Sequence, residues 1–194
     1  MGCQHGPGGA GDPGLSAAET RTHFAAWSIV SSPLTLSHDV NNKTVMDEVW
    51  DIISNREAIA VNQAWAGHSG SPFKSSDKTV QLDATNWAAL EKGASLQSVG
   101  PATAASWKYY YKPMLTGGAK TAVLMMNNDQ SAQDLTLSFA DIPGVTCTTC
   151  AVRDIWAKKD LGTFDTTYVA KGVASHDAPF LVITPASAPT VESA

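Results

Sequence analysis

The side chains able to do acid–base chemistry are few and scattered. His38-Asp39 is the one imidazole–carboxylate pair in the first third of the chain that its surroundings position, because it closes a run, Pro33 to Val40, that reads as a short strand ending in polar residues. Two readings stay open for it. If that strand belongs to a (β/α) barrel, its C-terminal tip faces an active site and the pair lies on the pocket rim. Otherwise Asp39 caps the following loop and His38 bonds locally. His5, His23, His68 and His176 show no HxH or HxxEH spacing, so neither a metal nor another cofactor is expected. No Gly-x-Ser-x-Gly elbow or Ser/His/Asp layout appears, which leaves nucleophilic hydrolase chemistry unsupported.

Cys147-Thr148-Thr149-Cys150 has the spacing of a local disulfide, of two free thiols, or of a redox or zinc half-site. With no second CxxC or His pair, and with strand-like flanks, the disulfide is the reading carried forward. Cys3 is left over. Asn42-Lys43-Thr44 is a glycosylation sequon. Tryptophans 27, 50, 65, 87, 107 and 156 suit a core as well as a sugar-stacking surface. Tyr109-Tyr110-Tyr111 on a strand must expose at least one ring, since neighbours point to opposite faces. With Trp107 it makes a candidate platform. The glycine-rich run Gly6 to Gly14 lacks a preceding strand and a following Lys-Ser/Thr, so it reads as a surface loop rather than a phosphate cradle. A chain severed inside a loop would open this way.

The elements that must hold these groups fall into two parts. Ser16-Ala17-Ala18-Glu19 is a capping box opening a helix that ends by Ser32, because Pro33 disfavours helical geometry before it. A second helix is expected from a cap at Thr44, with Val45, Val49, Ile52 and Ile53 as its buried stripe; Ser54-Asn55 breaks it before a short turn over Glu57 to Gln63. Residues 1–67 therefore read as helix–strand–helix, an α/β remnant too short to close a sheet. Residues 68–76 are rich in Gly, Ser and Pro and read as a linker. Beyond it, strands are expected at Thr79–Leu82, Ala88–Glu91, Ser95–Val99, Ser106–Lys112, Thr121–Asn127, Leu135–Phe139, Cys150–Asp154, Thr166–Ala170 and Ala178–Ile183. That spacing predicts an all-β antiparallel sandwich of about eight strands over residues 77–185, followed by a frayed tail, 186–194.

Composition narrows the partners. Hydrophobic residues make up 43% and charged residues 16%, enough apolar material for a sizeable core. The formal charge is -5, with no basic block, so nucleic acid is not an expected partner. No run of 18 apolar residues is present, so no membrane span is expected. Met1 to His5 has neither the charged start nor the apolar stretch of a secretory signal.

Five segments, in order, resemble glycoside hydrolase family 27, the α-galactosidase and α-N-acetylgalactosaminidase family. Gly14 to Glu19 with Arg21 to Ile29 resembles the helix after its seventh barrel strand, and Ser32-Pro33-Leu34 through Asp39 its last strand. Asn55-Arg56-Glu57-Ala58-Ile59-Ala60-Val61-Asn62-Gln63 resembles the family's N-x-E/D-V-I-A-I/V-N-Q segment. Ala122 to Asn128 resembles an early sandwich strand, and Val152-Arg153-Asp154-Ile155-Trp156 through Gly162 the V-R-D-L-W-x-x-K-x-L-G segment. The resemblance implies the end of a TIM barrel followed by a sandwich, in a retaining enzyme acting on terminal α-galactosides. In such enzymes one Asp attacks the anomeric carbon and another protonates the leaving oxygen, about 5 Å apart.

The resemblance places both of those carboxylates upstream of Pro33 to Val40, with a W-x-D-P-D-M-L motif just before Met1. No residue of this chain then inherits a catalytic role, and the piece alone is expected to be inactive. It further implies a secreted or lysosomal/vacuolar parent, able to pair as a homodimer. Within the family, α-N-acetylgalactosamine or β-L-arabinopyranose are rival substrates. From another class, residues 75–185 would be a free-standing carbohydrate-binding or interaction module. The run Gln4 to Pro13 is longer and richer in glycine than the family's loop.

Overall fold

The computed structural model describes residues 5–9, 12–36, 39–81 and 103–186. His38, Cys3, Trp87, the expected strands at 88–91 and 95–99, and the tail beyond 186 lie outside them. Near the start, β1 (His5–Gly9) and β2 (Asp12–Gly14) form an antiparallel hairpin where the glycine-rich run reads as a loop.

Helix α1 spans Ala17–Ile29 and opens on the expected capping box. Ser16 Oγ accepts the Glu19 N–H at 3.3 Å and Glu19 Oε2 accepts the Ser16 N–H at 2.8 Å. Helix α2 spans Lys43–Ile53, and its cap is Asn42, not Thr44. Asn42 Oδ1 takes the Val45 N–H at 3.3 Å, in keeping with the higher rank of Asn as a cap. Helix α3, Arg56–Gln63, is capped by Asn55, whose Oδ1 accepts the N–H groups of Glu57 and Ala58 at 3.0 and 3.2 Å.

The strand expected over Pro33 to Val40 is not formed in its described residues, 33–36 and 39–40. A strand needs a neighbour to take its backbone groups, and none of the described strands pairs with this segment. Leu36 and Val40 stay exposed instead.

The remaining strands are β3 Ser71–Ser75, β4 Thr79–Gln81, β5 Thr103–Ala105, β6 Trp107–Pro113, β7 Thr121–Asn127, β8 Gln133–Ser138, β9 Thr149–Asp154, β10 Lys159–Asp165, β11 Thr167–Val173 and β12 Phe180–Pro185. Six make one antiparallel sheet in the order β10-β9-β12-β7-β6-β3, and β8 pairs with β11 in a second sheet. A small β4–β5 ribbon stands apart. The two main sheets form the expected antiparallel sandwich, and six of their eight strands, all but β3 and β10, fall on expected runs. The linker reading fails for Ser71–Ser75, which is the edge strand beside β6. Its Pro72 suits an edge, where a missing N–H harms no ladder.

Period-two alternation sends β7 and β12 to two cores at once. Val123, Met125, Leu181 and Ile183 join Leu135, Leu137, Ala170 and Val173 between the sheets. Ala122, Leu124, Phe180 and Val182 turn the other way and pack on Phe24, Ile29, Val49, Ile52, Ile53 and Val61 of the helices. The result is three layers: helices, the six-stranded sheet, and the two-stranded sheet. Both faces of β7 and β12 are covered, which is why they read as unbroken apolar runs.

Candidate functional site

Polar contacts concentrate where the helices meet the six-stranded sheet, and two sequence motifs interlock there. Asn55, besides capping α3, donates from Nδ2 to the Ile155 carbonyl at 2.9 Å in a buried bond. Two residues on, Glu57 receives a fork from Arg153, Nε to Oε2 at 2.8 Å and Nη2 to Oε1 at 2.7 Å. Arg153 also reaches Asp160 at 3.0 Å, and these carboxylates hold its guanidinium pKa above the usual value. Asp154 Oδ1 accepts the N–H groups of Trp156 and Ala157 at 2.8 and 3.0 Å, shaping the turn that buries Ile155. Trp156 Nε1 donates to the Ala178 carbonyl at 3.1 Å and its ring lies 5.8 Å from that of Phe180. The Asn-Arg-Glu and Val-Arg-Asp-Ile-Trp segments are thus a joint between the two parts of the chain.

The far end of α3 is held by a residue that sequence reading passes over. Lys112 of β6 is fully buried, and its Nζ donates to Ser31 Oγ at 2.6 Å and to the carbonyls of Val61 and Asn62, the latter at 3.0 Å. Those carbonyls belong to the last turn of α3, where the backbone carries partial negative charge and unpaired acceptors. Burial lowers the Lys112 pKa. Asn62 then bonds from Nδ2 to Ser32 O at 2.8 Å and Trp27 O at 3.3 Å, tying α3 to the end of α1. Gly70 donates its N–H to Ile29 O at 2.9 Å, so close that an added Cβ would lie 2.2 Å from that oxygen. On the outer side of α1, Arg21 grips Asp177 through Nε at 3.2 Å and Nη2 at 2.6 Å.

Beside this joint, Ala26, Trp27, Ile29, Val30, Ser32, Tyr110 and Met126 line an open, mostly apolar groove of about 300 Å³. Among the described residues, no carboxylate lines it. Trp27 Nε1 donates to His23 Nε2 at 2.8 Å, which requires an imidazole without a proton on that nitrogen. Burial lowers the His23 pKa, and its Nδ1 is buried without a partner among the described residues.

The sequence-derived candidates separate. Asp39 lies exposed in the loop before α2, its Oδ1 accepting the Asn41 N–H at 2.9 Å and its carbonyl the Asn42 N–H at 3.1 Å. Asn42 is exposed at the α2 cap. Cys147 and Cys150 form a disulfide with Cα atoms 5.7 Å apart, tethering the preceding loop to β9. The aromatic platform is not formed: Tyr109 is 1% exposed, and Trp107 stacks on it with centroids 4.5 Å apart. Tyr109 faces the inter-sheet core, where burial raises its phenol pKa, while Tyr110 faces the groove. Among the described residues, no group of three or more His, Cys, Asp or Glu is placed to hold a metal, and no helix is long and apolar enough to cross a membrane.

A helical layer bolted onto an antiparallel sandwich, with its shared polar groups used for the joint, is the class of fold these residues define. Two family models match: "Alpha galactosidase A" over residues 9–64 and "Alpha galactosidase C-terminal beta sandwich domain" over residues 104–183. The chain belongs to the α-galactosidase family of glycoside hydrolases and corresponds to its C-terminal region.

It is 28% identical over 190 residues to the α-galactosidase of Cyamopsis tetragonoloba, covering 94% of this chain and 38% of that one. Its fold is that of the matching part of α-galactosidase I from Mortierella vinacea, with a TM-score of 0.68 at 22% identity, over 96% of this chain and 39% of that one. A GH27 β-L-arabinopyranosidase from Geobacillus stearothermophilus superposes with a TM-score of 0.65 at 18% identity, over 94% of this chain and 33% of that one. The chain spans little more than a third of the relatives it matches.

Proposed function

We propose that this chain is the closing part of a retaining α-galactosidase: the last helices of a (β/α)8 barrel and the sandwich that braces them. The observation that carries the reading is the joint itself. Asn55, Glu57, Arg153 and Ile155 fix α3 to the sandwich, and α1 and α2 pack in the same core. In the completed barrel the Pro33–Asp39 segment would be the last strand, with His38 and Asp39 at the substrate-pocket rim. The two catalytic carboxylates would come from elsewhere in the parent, where the family resemblance puts them, upstream of Pro33 to Val40.

The parent's substrates would be terminal α-D-galactosides, in a secreted or lysosomal/vacuolar enzyme that can pair as a homodimer. α-N-acetylgalactosaminides and β-L-arabinopyranosides are the alternatives within the family, and Asn42 is a candidate glycan site. Trp50, 56% exposed, and Trp65, 67% exposed, together with Val40, are large apolar side chains that neighbouring barrel elements would cover.

The reading predicts no turnover of p-nitrophenyl α-galactoside by the purified chain. Turnover at an enzyme-like rate, abolished by substitution of an Asp within residues 1–194, would refute the placement of the carboxylates elsewhere.

A further inference from the structure

A second concavity lies on the outer side of the molecule, between the start of α1 and the turn that joins β11 to β12. It measures about 370 Å³, within the range of small-ligand sites. Arg21, Asp154, Trp156, Tyr168, Lys171 and Asp177 bring polar and aromatic groups to it, and Ala170, Val173 and Pro179 supply apolar floor.

Its chemistry is selective. Two cations face two carboxylates, so the cleft offers no net charge to a charged ligand. Both cations are already committed: Arg21 to Asp177 at 2.6 Å, and Lys171 to Asp134 at 2.8 Å. An anion would have to break one of these pairs. Two groups are uncommitted. Asp154 uses only Oδ1 on its backbone partners, and neither Asp154 Oδ2 nor Tyr168 Oη has a hydrogen-bond partner among the described residues. Both side chains line the cleft, where burial and then the Asp154 charge raise the Tyr168 phenol pKa. One acceptor and one hydroxyl that can donate or accept, beside the half-buried Trp156 and Tyr168 rings, match a ligand with hydroxyls on its edge and C–H groups on its face.

We infer that this cleft is a binding site for a neutral saccharide, with Trp156 and Tyr168 as stacking surfaces and Asp154 Oδ2 and Tyr168 Oη as hydroxyl partners. The inference stands apart from the barrel reading, because every residue it needs lies in this chain. It also moves sugar recognition away from Trp107 and Tyr109, whose rings the structure packs together.

The test is a two-dimensional amide NMR titration of the whole chain with methyl α-D-galactopyranoside, methyl α-D-glucopyranoside and, separately, inorganic phosphate. The site predicts saturable shifts at millimolar sugar in the Trp156 indole N–H and the Gly172 amide, with no response to phosphate. Tyr168→Phe removes only an oxygen without a hydrogen-bond partner among the described residues, so the fold should persist, checked by unchanged peaks elsewhere; sugar affinity should fall about fivefold to tenfold. Asp154→Asn should weaken it further. Three results would overturn the inference: no saturable shift with either sugar, equal affinity in wild type and Tyr168→Phe, or saturation by phosphate at the same peaks.

Discussion

Asn55 holds two parts of the fold at once: its carbonyl oxygen caps α3, and its amide donates to the carbonyl of Ile155, a hundred residues away in sequence, at 2.9 Å. Replacement by Ala removes the cap and leaves the Ile155 carbonyl buried without a donor. A loss of about 2–3 kcal/mol is expected, the sum of a typical cap and one unsatisfied group. Asp in the same place keeps the cap but not the donor, and should lie between. Urea unfolding of the three proteins gives the order; equal midpoints would contradict it.

Lys112 is a second hinge pin. In Lys112→Met the carbonyls of Val61 and Asn62 and the Ser31 hydroxyl lose their shared donor, while the cost of burying a charge disappears. The unsatisfied acceptors outweigh the relief, since a single buried lysine here serves three of them, and destabilisation of about 1–3 kcal/mol is expected. Amide exchange should rise most at the ends of α1 and α3. A protein as stable as wild type with unchanged exchange there would show that Lys112 has no such role.

The Cys147–Cys150 bridge closes a short loop, for which chain entropy gives about 2 kcal/mol or less. Reduction, or Ser at both positions, should lower the unfolding midpoint modestly and leave the secondary structure intact. Collapse of the sandwich on reduction would mean that the bridge carries far more than its loop length allows.

His23 supplies the pH dependence. Its pKa is lowered by burial below the usual 6.5, and its Nε2 must accept the Trp27 N–H. The unfolded chain therefore takes up the proton first as pH falls. Stability is complete above about pH 6.5 and declines as pH drops from there toward the folded-state value. His23→Gln, which can still accept from Trp27, should flatten the profile below about pH 6.5. An identical slope in the variant would exclude His23 as the source.

How much of this was legible follows from what each residue depends on. The α1 cap was, because Ser16 and Glu19 meet within one turn. So were β7 and β8, whose apolar patterns reflect burial on two faces and on one. The strand over Pro33 to Val40 was not a property of its own residues: without neighbours it has no ladder, and its described residues, 33–36 and 39–40, stay irregular. Ser71–Ser75 reads as linker because its Ser and Pro content is that of an edge, yet Phe73 finds Tyr109 and Tyr111 across it. The edge strand β10 was passed over for the same reason, its side chains mostly exposed and its register shifted beside Gly162.

Of the candidate site, the motifs carried by the family resemblance were found, but their physical task was not. Glu57 and Arg153 look like surface charges until the fold brings them together. Lys112 gave no distinguishing signal, since the same strand carries Lys108 as well. Arg21 and Asp177 gave none, because a pair 156 positions apart has no local pattern.

The central claim, that these residues complete a barrel whose carboxylates lie elsewhere, is tested most directly by supplying the rest. The barrel portion of the Mortierella vinacea α-galactosidase I that precedes its matching segment would be fused to residues 15–194, and p-nitrophenyl α-galactoside turnover measured beside the chain alone. The claim predicts hydrolysis by the chimera with retention of anomeric configuration, none by the chain alone, and a marked loss on Asn55→Ala in the chimera. A folded, monodisperse chimera without activity, or equal activity from residues 1–194 by themselves, would contradict it.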